Sequence, residues 1–362
     1  MNYSVKEIRS SENSRSEERN AGGKARADVC SILSQIGFGE ITVSVDESRG
    51  KASRLSKMYK HIGIYKKWLL ACEEVLSGDS IVIQYPIIDH SLLMGRFCKK
   101  LKRKGVKVII LVHDLFMLRT SNDTETRIRN RRVMEEFTLL KSADVVIVHN
   151  EFMKKYLVEN GITGNKLICL QMFDYLVKDW DDDKANRRDI FKDEPVIIAG
   201  NLLKEKSGYV YDLPNNCMYN LYGINYTGKC KENIAYMGSF EPDELPLELN
   251  GSFGLVWDGP DISTCSGVYG NYLQYNNPHK LSLYLASEIP VIIWKHAALA
   301  SFVLDNNLGL AVESIDEIPH VISELSNEMY IDIISNVKRI APILRSGEFT
   351  NRAIKVALAD TL

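Results

Sequence analysis

Long hydrophobic runs, paired cysteines and a secretory leader pattern are all missing from this sequence. The longest apolar stretches, such as 108–112, hold about five residues, whereas a helix that spans a bilayer needs roughly 20. The seven cysteines are scattered without a C-x-x-C pair, which indicates reduced thiols rather than a disulfide framework or a zinc site. The first 20 residues contain no apolar segment, so no secretory signal is expected there. We therefore expect a cytoplasmic protein.

Two nucleotide-binding fingerprints are also missing. Neither G-x-G-x-x-G nor G-x-x-x-x-G-K-[ST] occurs, which removes the main support for a dinucleotide-dependent oxidoreductase or a P-loop enzyme. No helix-turn-helix, zinc-finger or RNA-binding signature is present, so nucleic acid is not an expected partner. The aspartates at 181–183 have no nearby histidine or second carboxylate cluster, and we predict no metal site.

The composition is that of an ordinary globular protein. Of the 362 residues, 45% are hydrophobic and 25% are charged, which argues against a disordered or low-complexity chain. This length exceeds what one hydrophobic core usually serves, so two domains are expected.

Charge is distributed unevenly between the two halves. The net charge is −2, but residues 1–170 hold 29 Lys and Arg against 20 Asp and Glu, whereas the rest hold 16 against 27. The basic residues concentrate at 57–67, 99–107 and 127–132. Such runs form either a solvated helix face or a surface that meets anionic lipid or a phosphate-bearing substrate. Both interpretations stay open at this stage.

The first half alternates short strands with helices. The segments 80–84, 106–112 and 143–148 are apolar without strict alternation, which is typical of strands buried on both faces of a parallel sheet. Helical patterns lie at 26–36, 58–76, 90–104, 127–141 and 151–160. In an open α/β sheet, ligands bind beyond the carboxyl ends of the strands. His113 and Asp114 follow one such strand, where a carboxylate can serve as a general base or simply cap a turn.

A second α/β pattern follows a polar stretch at 171–193, which we interpret as a solvated linker. Its strands are predicted at 196–199, 218–222, 235–237, 254–257, 290–294 and 310–312, and its helices at 278–287, 297–306, 316–326, 328–339 and 351–361. Two such halves predict two Rossmann-like domains that face each other across a cleft.

Three segments of the chain suit the binding of an anion. After the strand that ends at Asp258, Asn276 or Asn277 can cap a helix whose first turn holds His279 and Lys280. Exposed backbone N–H groups and a cation at a helix start suit a diphosphate, although a plain capped helix is the simpler interpretation.

The other two segments are rich in glycine. Gly200 and Asn201 follow a strand and precede Lys204, which suits phosphate but also marks a common turn. Gly22, Gly23 and Lys24 form a glycine-rich turn before the first good helix, which suits the binding of an anion or a sugar. A flexible N-terminal segment is the alternative.

These segments together resemble a known pattern. Many GT-B glycosyltransferases carry P-x-K-x-x-E-Y-x-A-x-G-x-P-V-I, and this chain has the corresponding stretch at 278–292. Two positions depart from the pattern: the usual Glu, which would hold a ribose, is Leu283, and the usual Gly is Glu288.

The departures narrow the resemblance to one group. The chain is similar to bacterial β-1,6-galactofuranosyltransferases of O-antigen (lipopolysaccharide) assembly, and more distantly to the glucosyltransferases that extend glycans on streptococcal serine-rich adhesins. The matching segments are AGGKARADV (21–29), the strand end at 113–114, MFDYLV (172–177), AGNL (199–202), LYGINY (221–226), YMGSF (236–240), FGLVWDG (253–259), TCSGVYGNYLQYNNPHK (264–280), SLYLASEIPVIIW (282–294) and AALASFVLDNNLG (297–309).

The resemblance implies a GT-B fold, an α/β architecture of two facing Rossmann-like domains with parallel sheets and an interdomain cleft. The acceptor domain would span 1–171, the nucleotide-sugar domain 172–340, and a last helix at 341–362 would pack back toward the first domain. It also implies inverting, metal-independent transfer from a UDP-sugar, with UDP-galactofuranose as the expected donor. The ribose contact would come from Asn277 or the adjacent loop.

The same resemblance suggests roles for individual residues. Lys280 and Lys204 would meet the diphosphate, and Tyr222 would face the uracil. Asp114 would be the base, with His113 beside it. The donor-site residues are Gly200, Asn201, Lys204, Tyr222, Asp258, Asn277, His279 and Lys280.

Partners and alternatives follow from this interpretation. The expected acceptor is a glycan carried on a polyprenyl diphosphate, which agrees with a basic first half and with peripheral contact at the inner membrane face. A homo-oligomer stays open. Two other functions also stay open: a transferase of the same fold that uses UDP-glucose or UDP-galactose, and a UDP-sugar-binding partner without activity.

Overall fold

The chain forms two α/β units. The computed structural model describes residues 1–9, 21–45, 54–89, 91–119, 126–188, 191–229 and 231–359. Among these residues, 1–9, 29–171 and 350–359 group in one unit, and 21–28 and 172–349 form the other. Within the described residues, no helix is long and apolar enough to cross a membrane.

The first unit is built on a six-stranded parallel sheet with the order β2-β1-β3-β4-β5-β6. Its strands are β1 (Asn2–Arg9), β2 (Gly39–Val45), β3 (Ser80–Tyr85), β4 (Lys107–Val112), β5 (Val145–Val148) and β6 (Leu167–Cys169). The three strands predicted from buried apolar runs are confirmed as β3, β4 and β5, the central strands. The other three were not predicted, because β2 is exposed at every second residue and β1 carries charged side chains.

The helices of the first unit flank that sheet. They are α1 (Ala21–Gln35), of which the residues up to Asp28 group with the second unit, α2 (Arg54–Ala71), α3 (Met94–Arg103), α4 (Thr126–Ser142) and α5 (Glu151–Glu159). Asn150 caps α5, because its side chain accepts hydrogen bonds from the backbone N–H groups of Phe152 and Met153.

The second unit repeats the architecture with the strand order β12-β11-β10-β7-β8-β9, all parallel. Its strands are β7 (Val196–Asn201), β8 (Tyr219–Ile224), β9 (Ile234–Gly238), β10 (Gly254–Val256), β11 (Val291–Trp294) and β12 (Gly309–Val312). All six strands were predicted. The strand order reverses between β7 and β10, and such a reversal opens a crevice at the carboxyl edge of a sheet.

The remaining helices belong to the second half of the chain. They are α6 (Asp182–Asn186), α7 (Leu245–Glu248), α8 (Gly267–Tyr272), α9 (His279–Ala286), α10 (Ala300–Asp305), α11 (Ile318–Glu324), α12 (Asn327–Ser346) and α13 (Glu348–Leu358). The predicted last helix is in fact two helices, because Gly347 ends α12 in the left-handed conformation with φ 81°. In the first unit, Lys107 donates hydrogen bonds to the carbonyls of Leu358 and Ala359 at the end of α13.

Tyr284 fixes α9 on the second sheet. Its fully buried hydroxyl accepts a hydrogen bond from the backbone N–H of Ala199 at 2.7 Å, so it ties the helix to β7. Its ring lies so close to β10 that a Cβ on Gly254 would come within 2.1 Å of it. Glycine at 254 therefore lets α9 pack closely against β10.

The interpretation of 171–193 as a solvated linker is wrong for its first part. Met172, Phe173, Asp174, Tyr175, Leu176 and Val177 are all buried. Their backbone and side chains are held by hydrogen bonds, since Ser282 donates to the carbonyl of Phe173 and Asp174 accepts from the N–H of Phe349. Asp181, by contrast, caps the short helix α6.

Candidate functional site

The crevice edge of the second sheet combines open backbone with a cation. Gly200, the next-to-last residue of β7, has a φ of 139°, and a Cβ built there meets nothing within 4 Å. Gly223, on the adjacent strand, has a similar φ of 142°, but a Cβ there would lie 1.7 Å from the carbonyl oxygen of Gly200. The space beside Gly200 is therefore open, whereas the space beside Gly223 is filled by backbone.

Lys280 and Asp258 come together at this edge, as the sequence pattern suggested. The ammonium of Lys280 donates to the carbonyl oxygen of Trp257 at 2.6 Å and to Asp258 Oδ1 at 2.9 Å. Both charged side chains are nearly buried, at 13% and 10% exposure. A cation held at low exposure acts on an anion more strongly than one surrounded by water.

The start of α9 differs from the prediction. The helix begins at His279, and the residue at its cap position is Pro278, which provides no side-chain hydrogen bond. Asn277 is buried just before the helix. The first N–H groups of a helix have no partner within the helix, so the N-terminus of α9 favours an anion.

Asn201 and Lys204 continue the edge after β7. The side-chain oxygen of Asn201 accepts from the N–H of Leu203 at 3.1 Å and from the amide of Asn225 at 3.0 Å, which shapes the turn. Lys204 is exposed, and its ammonium lies 6.0 Å from the centre of the Tyr211 ring. Lys204 is therefore the more solvated of the two predicted phosphate contacts.

Tyr222 does not offer a face to a base. The side chain is 1% exposed, its ring packs against Phe240, and its hydroxyl accepts from the N–H of Asn250 at 3.1 Å. The prediction that it faces a uracil is therefore corrected: Tyr222 belongs to the core. Sequence reasoning missed an aromatic pair beside β8 and β9. Tyr226 is half-buried just after β8, Tyr236 is exposed within β9, and their ring centres are 5.3 Å apart.

His279 is also a packing residue. Its ring is buried, stacks on Tyr175 at 4.9 Å and meets the edge of Phe173 at 6.3 Å. Burial lowers the pKa of His279 to about 4, so the ring is neutral near pH 7. These contacts place it against the buried 172–177 segment rather than beside a donor, which corrects its predicted role.

The glycine-rich turn predicted before the first helix lies inside that helix. Gly22, Gly23 and Lys24 belong to α1, and Lys24 is 7% exposed. Its ammonium lies 2.7 Å from oxygens of Asp28, Leu176 and Asp243. An ammonium has three donors, so Lys24 has none left for a sugar.

Asp28 shows the electrostatic cost of that arrangement. Burial raises the pKa of Asp28 to about 6, and the adjacent ammonium of Lys24 only partly offsets the effect. We infer that Lys24 and Asp28 have a structural role. They hold the first part of α1, which groups with the second unit, against Leu176 of the same unit, whose N–H donates to Asp28.

The first unit has a polar cluster at the carboxyl ends of β3 and β4. His113 Nε2 lies 2.6 Å from Gln84 Oε1, which fixes the ring. Asp114 is 38% exposed, and one of its carboxylate oxygens accepts from Arg119 at 2.5 Å. Asp114 is therefore accessible and held in one orientation, as a base on an acceptor hydroxyl requires.

Glu136 supports this cluster and was missed by sequence reasoning. The side chain is 1% exposed, and its two oxygens accept hydrogen bonds at 2.8 Å from the N–H groups of Phe116 and Met117, just after Asp114. Burial raises the pKa of Glu136 to about 7, and these hydrogen bonds oppose the rise. Its position in a charged helical segment gave no signal, because only the fold brings it to this backbone.

We expect the contribution of Glu136 to stability to decrease as the pH rises. Its pKa is raised in the folded state, so the folded protein binds this proton more tightly between about pH 4.5 and 7. The free energy of unfolding of the wild type minus that of Glu136→Gln should fall over this window by roughly 3 kcal/mol. Urea unfolding at pH 5 and pH 8 measures it, and a difference that is constant with pH would contradict the assignment.

The two departures from the glycosyltransferase pattern have structural explanations. Leu283 is buried in the core, so the ribose contact that its position usually supplies is absent. Glu288 takes the conformation of the glycine it replaces, with φ 61°. Its carboxylate accepts from Arg345, whose guanidinium stacks on Trp180 at 3.8 Å. This contact offsets the left-handed strain at a non-glycine residue.

Two substitutions separate that strain from the ion pair. Glu288→Ala and Glu288→Gly both remove the contact with Arg345, but only alanine keeps a Cβ at positive φ. We expect the alanine variant to be less stable than the glycine variant by about 1 kcal/mol. Thermal or urea unfolding measures both variants side by side. Equal stability of the two would show that position 288 carries no backbone strain.

Family models match most of the chain. Residues 10–172 match the model described as "Glucosyltransferase 3-like, N-terminal domain", and residues 196–357 match "Glucosyltransferase 3-like, C-terminal domain". The chain is 33% identical over 346 residues to "Beta-1,6-galactofuranosyltransferase WbbI" of Escherichia coli (strain K12), covering 94% of this chain and 96% of that one. It is 25% identical to "Glucosyltransferase 3" of Streptococcus gordonii, covering 93% and 94% of the two chains.

Solved structures match the fold. Sucrose-phosphate synthase from Thermosynechococcus elongatus aligns with a TM-score of 0.61 at 14% identity, covering 98% of both chains. Anabaena Alr3699/HepE, solved in complex with UDP and glucose, aligns with a TM-score of 0.60 at 11% identity, covering 99% of both chains. At these identities the likeness concerns the fold alone, and it confirms the predicted GT-B class of two α/β units with parallel sheets.

Proposed function

The chain belongs to the glucosyltransferase 3-like glycosyltransferases, and from this membership we propose that it transfers galactofuranose from UDP-galactofuranose to a glycan hydroxyl, with inversion. The 33% identical relative named a β-1,6-galactofuranosyltransferase supports this donor. By the same likeness, the proposed acceptor is a lipid-linked glycan in O-antigen or related polysaccharide synthesis. The proposed location is the cytoplasm, including the inner face of the membrane.

The observation that carries the proposal is the crevice edge of the second unit. Lys280, the N-terminus of α9 and the open space at Gly200 together suit a diphosphate. As the sugar leaves, negative charge develops on the departing UDP. A fixed ammonium and backbone N–H groups stabilise that charge, and we propose that they do so without a metal ion.

The acceptor half of the reaction is assigned to the first unit. The acceptor hydroxyl attacks the anomeric carbon of the donor sugar, its proton passes to the carboxylate of Asp114, and the bond to the UDP oxygen breaks. His113, fixed by Gln84, orients the acceptor or the donor sugar beside that carboxylate. Attack opposite to the leaving group inverts the anomeric configuration.

Product stereochemistry tests this mechanism. Purified protein is incubated with UDP-galactofuranose and an α-glucoside that bears a hydrophobic tail, with EDTA present, and the product is examined by NMR. We expect a β-linked galactofuranosyl glucoside and free UDP. A product with retained configuration, or a reaction that EDTA stops, would contradict the proposed mechanism.

A different donor is the second candidate. The chain also matches glucosyltransferase 3 of two streptococci over most of its length, at 25% and 26% identity. Donor choice depends on a few contacts to the sugar, so UDP-glucose is the competing donor to be tested beside UDP-galactofuranose.

A further inference from the structure

A cavity of about 230 Å³ opens in the first unit, beside the segment that follows Asp114. It lies between the end of β3, α3 and α4, and none of the functions assigned above uses it. Its lining residues are Tyr85, Pro86, Ile87, Ile88, Ser91, Leu92, Met94, Gly95, Phe116, Arg132, Glu135, Glu136 and Leu139. For comparison, an apolar cavity of about 150 Å³ is large enough to hold benzene.

The polar groups inside this cavity already have partners. Both oxygens of Glu136 accept backbone hydrogen bonds. The hydroxyl of Ser91 donates to the carbonyl of His61 and accepts from the N–H of Leu93. The carboxylate of Glu135 pairs with Arg131 at 3.1 Å. A sugar ring buried here would leave hydroxyls without partners, which costs free energy for each one.

The remaining walls favour a hydrocarbon. Ile87, Met94 and Leu139 are buried in the floor, and Ile88 and Leu92 continue the apolar surface to the rim, each at 38% exposure. Each methylene buried against such walls tightens binding by about fourfold. The cavity therefore suits a branched apolar chain better than it suits a glycan.

Arg132 supplies a charge at the rim. Its guanidinium lies 5.1 Å from the centre of the Phe116 ring. Burial raises the pKa of Glu135 in the same lining, and the charges of Arg131 and Arg132 oppose that rise. The side chain of Arg132 is exposed, so those of its N–H donors that face solvent can reach a ligand. Guanidinium donors of this geometry match the oxygens of a phosphate group.

We propose that this cavity binds the first isoprenoid units of a polyprenyl phosphate carrier, with the phosphate held by Arg132. The apolar residues of the floor contact the hydrocarbon, and the guanidinium of Arg132 at the rim pairs with the phosphate at the end of that hydrocarbon. The identification of this molecule as the acceptor's carrier rests on the proposed function. The binding of a prenyl phosphate to the cavity does not.

Ligand binding to the full chain tests the proposal without any turnover. Isothermal titration compares geranyl phosphate, geraniol and inorganic phosphate. We expect geranyl phosphate to bind at least about tenfold more tightly than geraniol, because the phosphate adds charge-assisted hydrogen bonds. We expect inorganic phosphate alone not to bind measurably at the same concentrations. Equal binding of geraniol and geranyl phosphate would overturn the role of Arg132.

Matched variants locate the bound ligand. Arg132→Gln should weaken geranyl phosphate about tenfold and leave geraniol unchanged, whereas Arg96→Gln, an exposed arginine on α3 outside the lining, should change neither. Leu92→Glu should weaken both ligands, whereas Leu70→Glu, at a 71% exposed position on α2, should not. Folding of each variant is checked by thermal unfolding. Effects that are equal for the rim and the control variants would overturn the site.

Two further outcomes distinguish this proposal from recognition of membrane charge and from the proposed function. If the wild type and Arg132→Gln bind phosphatidylglycerol vesicles equally and geranyl phosphate not at all, the surface recognises membrane charge and the cavity proposal is wrong. If geranyl phosphate binds as predicted but no sugar is transferred from any UDP-sugar, the cavity stands and the proposed function fails.

Discussion

Replacing Lys280 with alanine is expected to lower kcat/KM for the UDP-sugar by about 10²–10³-fold, the loss typical of removing one donor that stabilises transition-state charge. In the proposed mechanism Lys280 faces the departing diphosphate, and no metal ion shares that charge. UDP affinity, measured by titration calorimetry, should fall as well. Initial rates over a range of donor concentrations measure the kinetic effect.

The Lys280 prediction needs a control for stability, because Lys280 also neutralises Asp258. Removing the ammonium leaves a nearly buried carboxylate without its partner, which is destabilising. The double variant Lys280→Ala, Asp258→Asn removes both charges and should recover stability without recovering activity. Lys338→Ala, on α12, removes a cation that donates a hydrogen bond to Asn186, away from the proposed donor site, and should leave kinetics unchanged. Unchanged UDP affinity and turnover in folded Lys280→Ala would contradict the donor site.

Replacing Asp114 with asparagine is expected to lower kcat by about 10²–10⁴-fold, the range of a general base. Asparagine keeps the size of the side chain and one oxygen toward Arg119, but it cannot take the acceptor's proton. The affinity for UDP should be unchanged, because that site is assigned to the second unit. Rates with saturating donor and acceptor, combined with a UDP titration, measure both quantities.

A carboxylate in a surface pair provides the control for Asp114. Glu40→Gln removes a charge from the same unit, where Glu40 pairs with Lys6 at 3.3 Å and is 46% exposed. This variant should keep wild-type kcat. If Asp114→Asn turned over at the wild-type rate, the base would have to be another group, and the role of the β4 end would be wrong.

Much of the fold was predictable because its central strands are buried on both faces. Continuous apolar runs such as those of β4 and β11 have few other structural solutions in a chain of alternating strands and helices. The edge strands were harder to predict. β2 is exposed at alternate positions, so a search for continuous apolar runs does not detect the 39–45 segment.

Part of the geometry of the crevice edge was predictable for a different reason. Lys280 and Gly200 lie at the start of a helix and the end of a strand, and both features leave local signals. The assignment of Lys24 failed because its partners lie elsewhere in the chain: Leu176 and Asp243 are remote in sequence, and only folding shows that they use its donors. The assignment of Tyr222 failed because β8 carries both buried and partly exposed residues, so its sequence gives no local signal that this tyrosine is buried.

The cavity in the first unit could not be predicted at all. Its walls come from the end of β3, the start of α3 and the middle of α4, none of which carries a recognisable motif. Arg132 stood in a basic run that fits a solvated helix face equally well. The ligand role proposed for it rests on its neighbours: Phe116 lies beneath its guanidinium, and the apolar residues of the cavity line the same space.

The most direct test of the central claim is a comparison of donors under one condition. With EDTA present and one acceptor, kcat/KM is measured for UDP-galactofuranose, UDP-galactopyranose and UDP-glucose, with products identified by mass spectrometry. The account predicts transfer from UDP-galactofuranose that exceeds the other two by at least about tenfold. A preference for UDP-glucose would contradict the assigned donor, and a folded protein that transfers sugar from none of the three would contradict the proposed UDP-hexosyl transfer.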